Sequence, residues 1–155
     1  MDFPFDTATE AIRWTSNSLF LFRNRTYKTE APPHYHIGLP PLDNNYVLLA
    51  KLTSQKDKLK RRYEPSKEAL SCLIPPKAGD LGGFVKSNDT VIDCNDIIYH
   101  NRAELPQLIV GEIKAIDVNI PKDLFIAIAN GIKLSPFLSI NIQEAVDYDA
   151  IFNAT

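Results

Sequence analysis

His34 and His36 stand in the run Ala31-Pro-Pro-His34-Tyr35-His36-Ile37-Gly38-Leu39-Pro40-Pro41, with His100 the only other histidine. Tyr35, Ile37 and Leu39 alternate with the two imidazoles, a period of two that predicts a β-strand with its apolar side chains on one face and both histidines on the other. A second run, Tyr46 to Ser54, reads as a neighbouring strand, joined to the first through a turn at Asp43-Asn44-Asn45, with Lys51 and Thr53 on a shared face. If the two polar faces meet, they form one cationic, hydroxyl-bearing site. Such a site matches the parts list of metal-free RNA cleavage: a base for the ribose 2′-OH, an acid for the leaving 5′-oxygen, and donors for the charge on the phosphorane. Imidazole titrates near neutrality, and lysine or arginine holds phosphate. The catalytic candidates on this reading are Lys28, His34, His36, Thr53 and Ser54. A His-x-His pair supplies two ligands with no third fixed by spacing, so neither a metal nor another cofactor is expected. Read structurally, the same histidines are exposed or hydrogen-bonded strand residues, and Thr53-Ser54 is a strand end with turn-forming hydroxyls.

The strongest charge signal follows directly. Lys56, Lys58, Lys60, Arg61 and Arg62 fall within seven positions, beside Tyr63 and ahead of Pro65, in a chain whose net charge is −2. With no global pull toward a polyanion, any such site must be local. An exposed basic loop is expected here, able to follow a single-stranded RNA backbone and stack a base on Tyr63. The RNA-binding candidates here are Lys58, Lys60, Arg61, Arg62 and Tyr63 of this run and Lys51 of the strand before it. The same charges would also attract an acidic protein segment.

Several elements must position these groups. Thr7 with Glu10 forms a capping-box pattern for a short N-terminal helix. Leu19-Phe20-Leu21-Phe22 reads as a buried strand running into a basic loop that holds Arg23, Arg25 and Lys28. The pair Pro40-Pro41 closes the histidine strand, because proline cannot donate to a ladder. Leu70 to Ile74 is a short apolar run ahead of Pro75-Pro76, and Gly79-Asp80-Leu81-Gly82-Gly83 marks a turn. That turn lacks the Lys-Ser/Thr of a phosphate loop. Thr90 to Cys94 and Leu108 to Ile113 read as further strands. Leu124, Phe125, Ile128 and Ile132 recur at helical spacing behind Pro121, predicting a core-facing helix over 121–133. A second helix is expected from Ser135-Pro136 to about Val146, and the tail after Asp149 has no periodicity.

At 155 residues with 45% hydrophobic and 23% charged side chains, the chain has an ordinary composition and reads as a single domain over 1–155. Cys72 and Cys94 form no CxxC motif, which fits a reducing compartment, and both read as buried structural thiols. Asp93 and Asp96 are expected to face solvent. No apolar run approaches a membrane span, and the acidic opening Met1 to Asp6 is unlike a signal peptide, so no membrane partner and a cytoplasmic setting are expected.

The order of these features resembles the PemK/MazF superfamily of small SH3-like barrels. The matching stretches are His34 to Ile37, Val47 to Thr53-Ser54, Cys72 with Gly79-Asp80, Ser87 to Asp96, and Gly131 to Ser135-Pro136. The resemblance implies an α+β fold: an SH3-like β-barrel over about 18–113, with an N-terminal helix and C-terminal helices over about 121–146. It implies a toxin-like, metal-independent endoribonuclease or RNA-binding protein of a toxin-antitoxin or defence module. Its partners would be single-stranded RNA, an acidic antitoxin and a second copy of the chain. Better-known members use an arginine of the first long loop and a Thr/Ser at the end of the next strand, here Arg23, Arg25 or Lys28 with Thr53-Ser54. The resemblance thereby adds Arg23 and Arg25 to the RNA-binding candidates. Their Gly-Arg-Pro entry into the second strand is replaced by Pro-Pro-His34, which leaves open which cation or base acts. The alternative is a non-catalytic SH3-like module that binds a protein partner with the same face.

Overall fold

The computed structural model describes residues 2–5, 18–25, 32–83 and 89–153, and seven strands within them form one antiparallel sheet. In chain order they are β1 (Asp2–Phe5), β2 (Ser18–Asn24), β3 (His34–Leu39), β4 (Tyr46–Thr53), β5 (Leu73–Ile74), β6 (Val91–Asn101) and β7 (Ile109–Asp117). Across the sheet the order is β1-β7-β2-β3-β4-β6-β5. The helices are α1 (Lys56–Tyr63), α2 (Lys67–Ser71), α3 (Leu105–Leu108), α4 (Lys122–Leu134), α5 (Ile140–Ala145) and α6 (Tyr148–Phe152). The fold is α+β, as the residue patterns predict. The helix expected around Thr7 and Glu10, and the catalytic candidate Lys28, lie outside the described residues.

Alternation sorts the sheet into two faces. Leu19, Ile37, Leu39, Leu48, Ala50 and Ile92 point to the face covered by Leu124, Ile128 and Ile132 of α4 and Ile151 of α6. Phe20, Phe22, Val47, Leu49 and Ile113 point to the other, where Leu105 and Ile109 pack. Both faces are therefore hydrophobic cores, which is why strands such as Leu19 to Phe22 read as continuous apolar runs.

The closed SH3-like barrel that the resemblance implies is not what forms. Among the described residues the sheet is open, with β1 and β5 at its edges. The connection from β6 to β7 leaves the sheet instead of pairing within it. Arg102 N–H donates to Asn45 O at the β3–β4 turn (2.8 Å), and Arg25 N–H donates to Leu108 O at the end of β2 (2.7 Å). Leu105 and the partly buried Leu108, carried on that connection, help cover the second face.

Three local expectations also change. The basic segment expected as a loop is the helix α1, which buries Leu59 and Tyr63, an i, i+4 pair, against Ala69, Leu73 and Val91. Helix α5 starts later than Ser135-Pro136: Ser139 is its N-cap and its side chain accepts from Ile142 N–H, whereas Ser135 Oγ accepts from Phe137 N–H in a bend before it. The tail forms α6, opened by Asp147, whose carboxylate accepts from Ala150 N–H (3.0 Å).

Candidate functional site

The antiparallel register brings the two predicted polar faces together. His36 lies opposite Lys51 across β3 and β4, while Phe22 and Phe20 of β2 lie opposite His34 and His36. The turn between β3 and β4 is the expected one, with Asn45 N–H donating to Asp43 Oδ1 (2.9 Å) and Tyr46 N–H to Asp43 O (3.0 Å). On β6, Ala50 faces Ile97 while Lys51 faces Asp93, so Cys94, Asn95 and Asp96 form a bulge. The bulge re-aims Asp96, whose Oδ2 accepts an ion pair from Lys51 Nζ at 3.2 Å.

Juxtaposition does not make these groups equivalent. His36 is fully buried. Its ring stacks on Phe22, with centroids 4.0 Å apart and planes 13° from parallel, and its Nδ1 lies 3.3 Å from Phe20 O. Burial outweighs the Phe20 carbonyl and lowers its pKa to about 3, so the ring is uncharged at neutral pH and keeps a single N–H. A sealed imidazole in that state cannot exchange protons with a substrate. His34 is half-buried; burial and then the Lys51 cation lower its pKa, and Asp96 acts in the opposite sense. It is the one histidine of the pair in reach of solvent, and it is a neutral base.

The hydroxyl pair has a structural job. Thr53 is buried and its Oγ1 accepts from Gln55 N–H (3.1 Å), turning the chain out of β4 into α1, while Ser54 is exposed. Tyr63, expected to stack a base, is buried instead, and its hydroxyl donates to Asp93 Oδ2 (2.9 Å). Asp93, expected in solvent, is fully buried beneath it. Arg25 Nε donates to Gln107 O (2.7 Å), which ties the end of β2 to α3, and Arg23 is exposed. Cys72 and Cys94 are free, buried thiols, as their setting in apolar runs suggests.

What remains accessible is the cationic helix. Lys58, Lys60, Arg61 and Arg62 are exposed and Lys56 is half-exposed. Beside α1 opens a hollow of about 610 Å³ whose floor is Leu70, Leu73, Pro75 and Val91. Lys56, Lys60 and Arg61 stand around it with Glu64. Phe137, 60% exposed, sets its ring 5.4 Å from that of Tyr63. The hollow needs α1 to be a helix, and the signal that marks it as one is the Leu59–Tyr63 spacing within the basic run. Among the described residues no cluster of His, Cys, Asp and Glu is arranged to hold a metal. No protein-family model, curated protein or solved structure matches the chain.

Proposed function

We propose that this chain binds single-stranded RNA along α1. The observation that carries the reading is the helix itself, five cations on eight residues of which only Leu59 and Tyr63 are buried, in a chain of net charge −2. At about 100° per residue, Lys56 and Lys60 flank the Leu59–Tyr63 stripe on one side and Lys58 and Arg62 on the other. Cations four residues apart are about 6 Å apart along the axis, a ladder suited to a flexible polyphosphate. Phe137 offers the exposed ring that Tyr63 does not. The resemblance of His34 to Ile37 and of Thr53-Ser54 to the PemK/MazF superfamily supports RNA as the polyanion and a toxin-like role built on an SH3-like sheet. Two buried free thiols are consistent with the reducing cytoplasm. Among the described residues no helix is long and apolar enough to cross a membrane.

Binding without cleavage is the reading the side chains favour. His34 can serve as a base, but His36 is sealed and Thr53 is buried with its Oγ1 accepting from Gln55 N–H, so neither of these two candidates is placed as its partner acid. A labelled oligouridylate titrated in EDTA should bind with an affinity that falls steeply with salt, and Lys58→Glu with Arg62→Glu should weaken it by about tenfold or more. The RNA should remain intact. Salt-independent or absent binding would refute the reading. Fragments with 2′,3′-cyclic phosphate ends, lost in His34→Ala, would replace it with a ribonuclease.

The aliphatic floor of the hollow favours a second occupant, an acidic segment of a partner protein with an apolar anchor, in the manner of an antitoxin tail. Lys60→Glu with Arg61→Glu should then abolish a protein complex, while the Lys58 and Arg62 changes matter less.

A further inference from the structure

One buried chain of hydrogen bonds runs from α1 to the far end of α4. Tyr63 Oη donates to Asp93 Oδ2 (2.9 Å), and Asp93 Oδ1 accepts from Asn95 N–H (3.0 Å). Asn95 Nδ2 donates to Ala69 O of α2 (2.9 Å), and Asn95 Oδ1 accepts from Ser135 Oγ (2.7 Å). Ser135 Oγ in turn accepts from Phe137 N–H (3.2 Å). Tyr63, Asp93, Asn95 and Ser135 are all buried. Each polar group in this chain has a partner, which is the condition under which a buried network fixes one arrangement of its surroundings.

The centre of the chain is the β6 bulge. Asp93 holds its own strand in place by accepting from the N–H two residues on, and its second oxygen is left for α1. Asn95 then reaches α2 with one end of its amide and the bend after α4 with the other. Helices α1 and α2 are held to each other through Leu59, Tyr63 and Ala69. Together they carry the cations and Leu70 of the hollow's floor.

We propose that Asp93 and Asn95 are positioning residues for the anion-binding surface: by bonding Tyr63, the Ala69 carbonyl and Ser135, they hold α1 at the setting its cations need. This inference rests on the reading of α1 as an RNA-binding helix. Neither residue touches the ligand. The same bonds place Phe137, so the aromatic ring and the cationic ladder share one support.

The test uses Tyr63→Phe, which keeps the buried ring and deletes the donor. Amide hydrogen exchange in α1 (Leu59 to Tyr63) should quicken by about tenfold. Exchange at Ile128 and Ile132 of α4 should not change. Oligouridylate affinity should fall severalfold at an unaltered salt slope, since the same cations remain and only their placement is lost. Asp93→Asn is the conservative rescue: its amide oxygen accepts from Asn95 N–H and its NH₂ donates to Tyr63 Oη, so α1 protection should be retained, whereas Asp93→Ala should lose it. Unchanged exchange in α1 of Tyr63→Phe, or equal acceleration in α4, overturns the positioning role. Absence of RNA binding by the unaltered protein would instead refute the reading of α1, and the exchange result would still decide whether the network sets the helix.

Discussion

His36 lies flat against Phe22, its ring 4.0 Å away and 13° from parallel, with Nδ1 at hydrogen-bonding range of the Phe20 carbonyl. The pairing explains why an imidazole can occupy the core of a sheet: one nitrogen faces a backbone acceptor and the ring surface packs like an aromatic hydrocarbon. The cost falls on the charged form. With a folded pKa of about 3 against 6.5 in the unfolded chain, the unfolded state binds the proton that the fold refuses. This stabilisation is fully present above pH 6.5 and is lost as the pH falls toward 3, at up to about 1.4 kcal/mol per pH unit. Urea midpoints across that window should show the slope, and His36→Phe should remove its share. An unchanged slope in the variant would place the acid sensitivity elsewhere.

His34, two residues away on the same face, should titrate differently and report on its neighbours. Burial lowers its pKa, the Lys51 cation lowers it further, and Asp96 raises it. Lys51→Met should therefore move the His34 titration up, and Asp96→Asn should move it down, as read from the ring proton shifts. Opposite signs would mean that the ion pair between Lys51 and Asp96 does not persist in solution. Lys51→Met should cost little stability, about 1 kcal/mol, because Asp96 is partly solvated, and Asp96→Asn should cost more, because the Lys51 ammonium is largely buried.

The polar face of β3 and β4 was legible because strand geometry has a strict period of two, and Tyr35, Ile37 and Leu39 leave the histidines no alternative side. What period cannot express is how deeply a face is covered. His36 is sealed because Phe22 stacks on it in a core to which Leu105 and Ile109, many residues away, contribute. The helix α1 was obscured by its own charges: only Leu59 and Tyr63 mark the buried stripe, too few to outweigh five cations and a following proline. In β6 the polar residues Asp93, Asn95 and Asp96 interrupt an apolar run, and they read as the end of a strand. The burial of Asp93 and Asn95 becomes intelligible only once Tyr63, Ala69 and Ser135 arrive from three other elements to satisfy them, while Asp96 stays partly exposed beside Lys51.

Both cysteines should be chemically silent in the folded protein. Burial raises the thiol pKa of each, Cys94 the more strongly, with Cys72 a secondary influence on it. Thiolate is the reactive form, so a disulfide reagent such as DTNB at pH 8 should label neither residue until urea unfolds the chain, and the labelling rate should follow unfolding. Labelling of Cys72 or Cys94 within seconds under native conditions would show that α2 or α4 opens locally.

At Gly131, α4 packs tightly against the same bulge. A Cβ there would meet Cys94 Sγ at 2.9 Å and Cys94 Cβ at 3.0 Å, with Ile74 Cδ1 at 3.6 Å. Replacing glycine inside a helix normally stabilises by about 0.5–1 kcal/mol. Here overpacking costs about 1–3 kcal/mol, because the Cys94 backbone is pinned by its N–H bond to Cys72 O (3.1 Å). Gly131→Ala should therefore be destabilising in thermal or urea unfolding despite its helix propensity. Cys94→Ala in the same chain should restore part of the loss, since Sγ is removed while the Cβ contact remains. A double-mutant cycle with no coupling between the two changes would mean that α4 is not seated on the bulge as described, and that the network beneath it has another support.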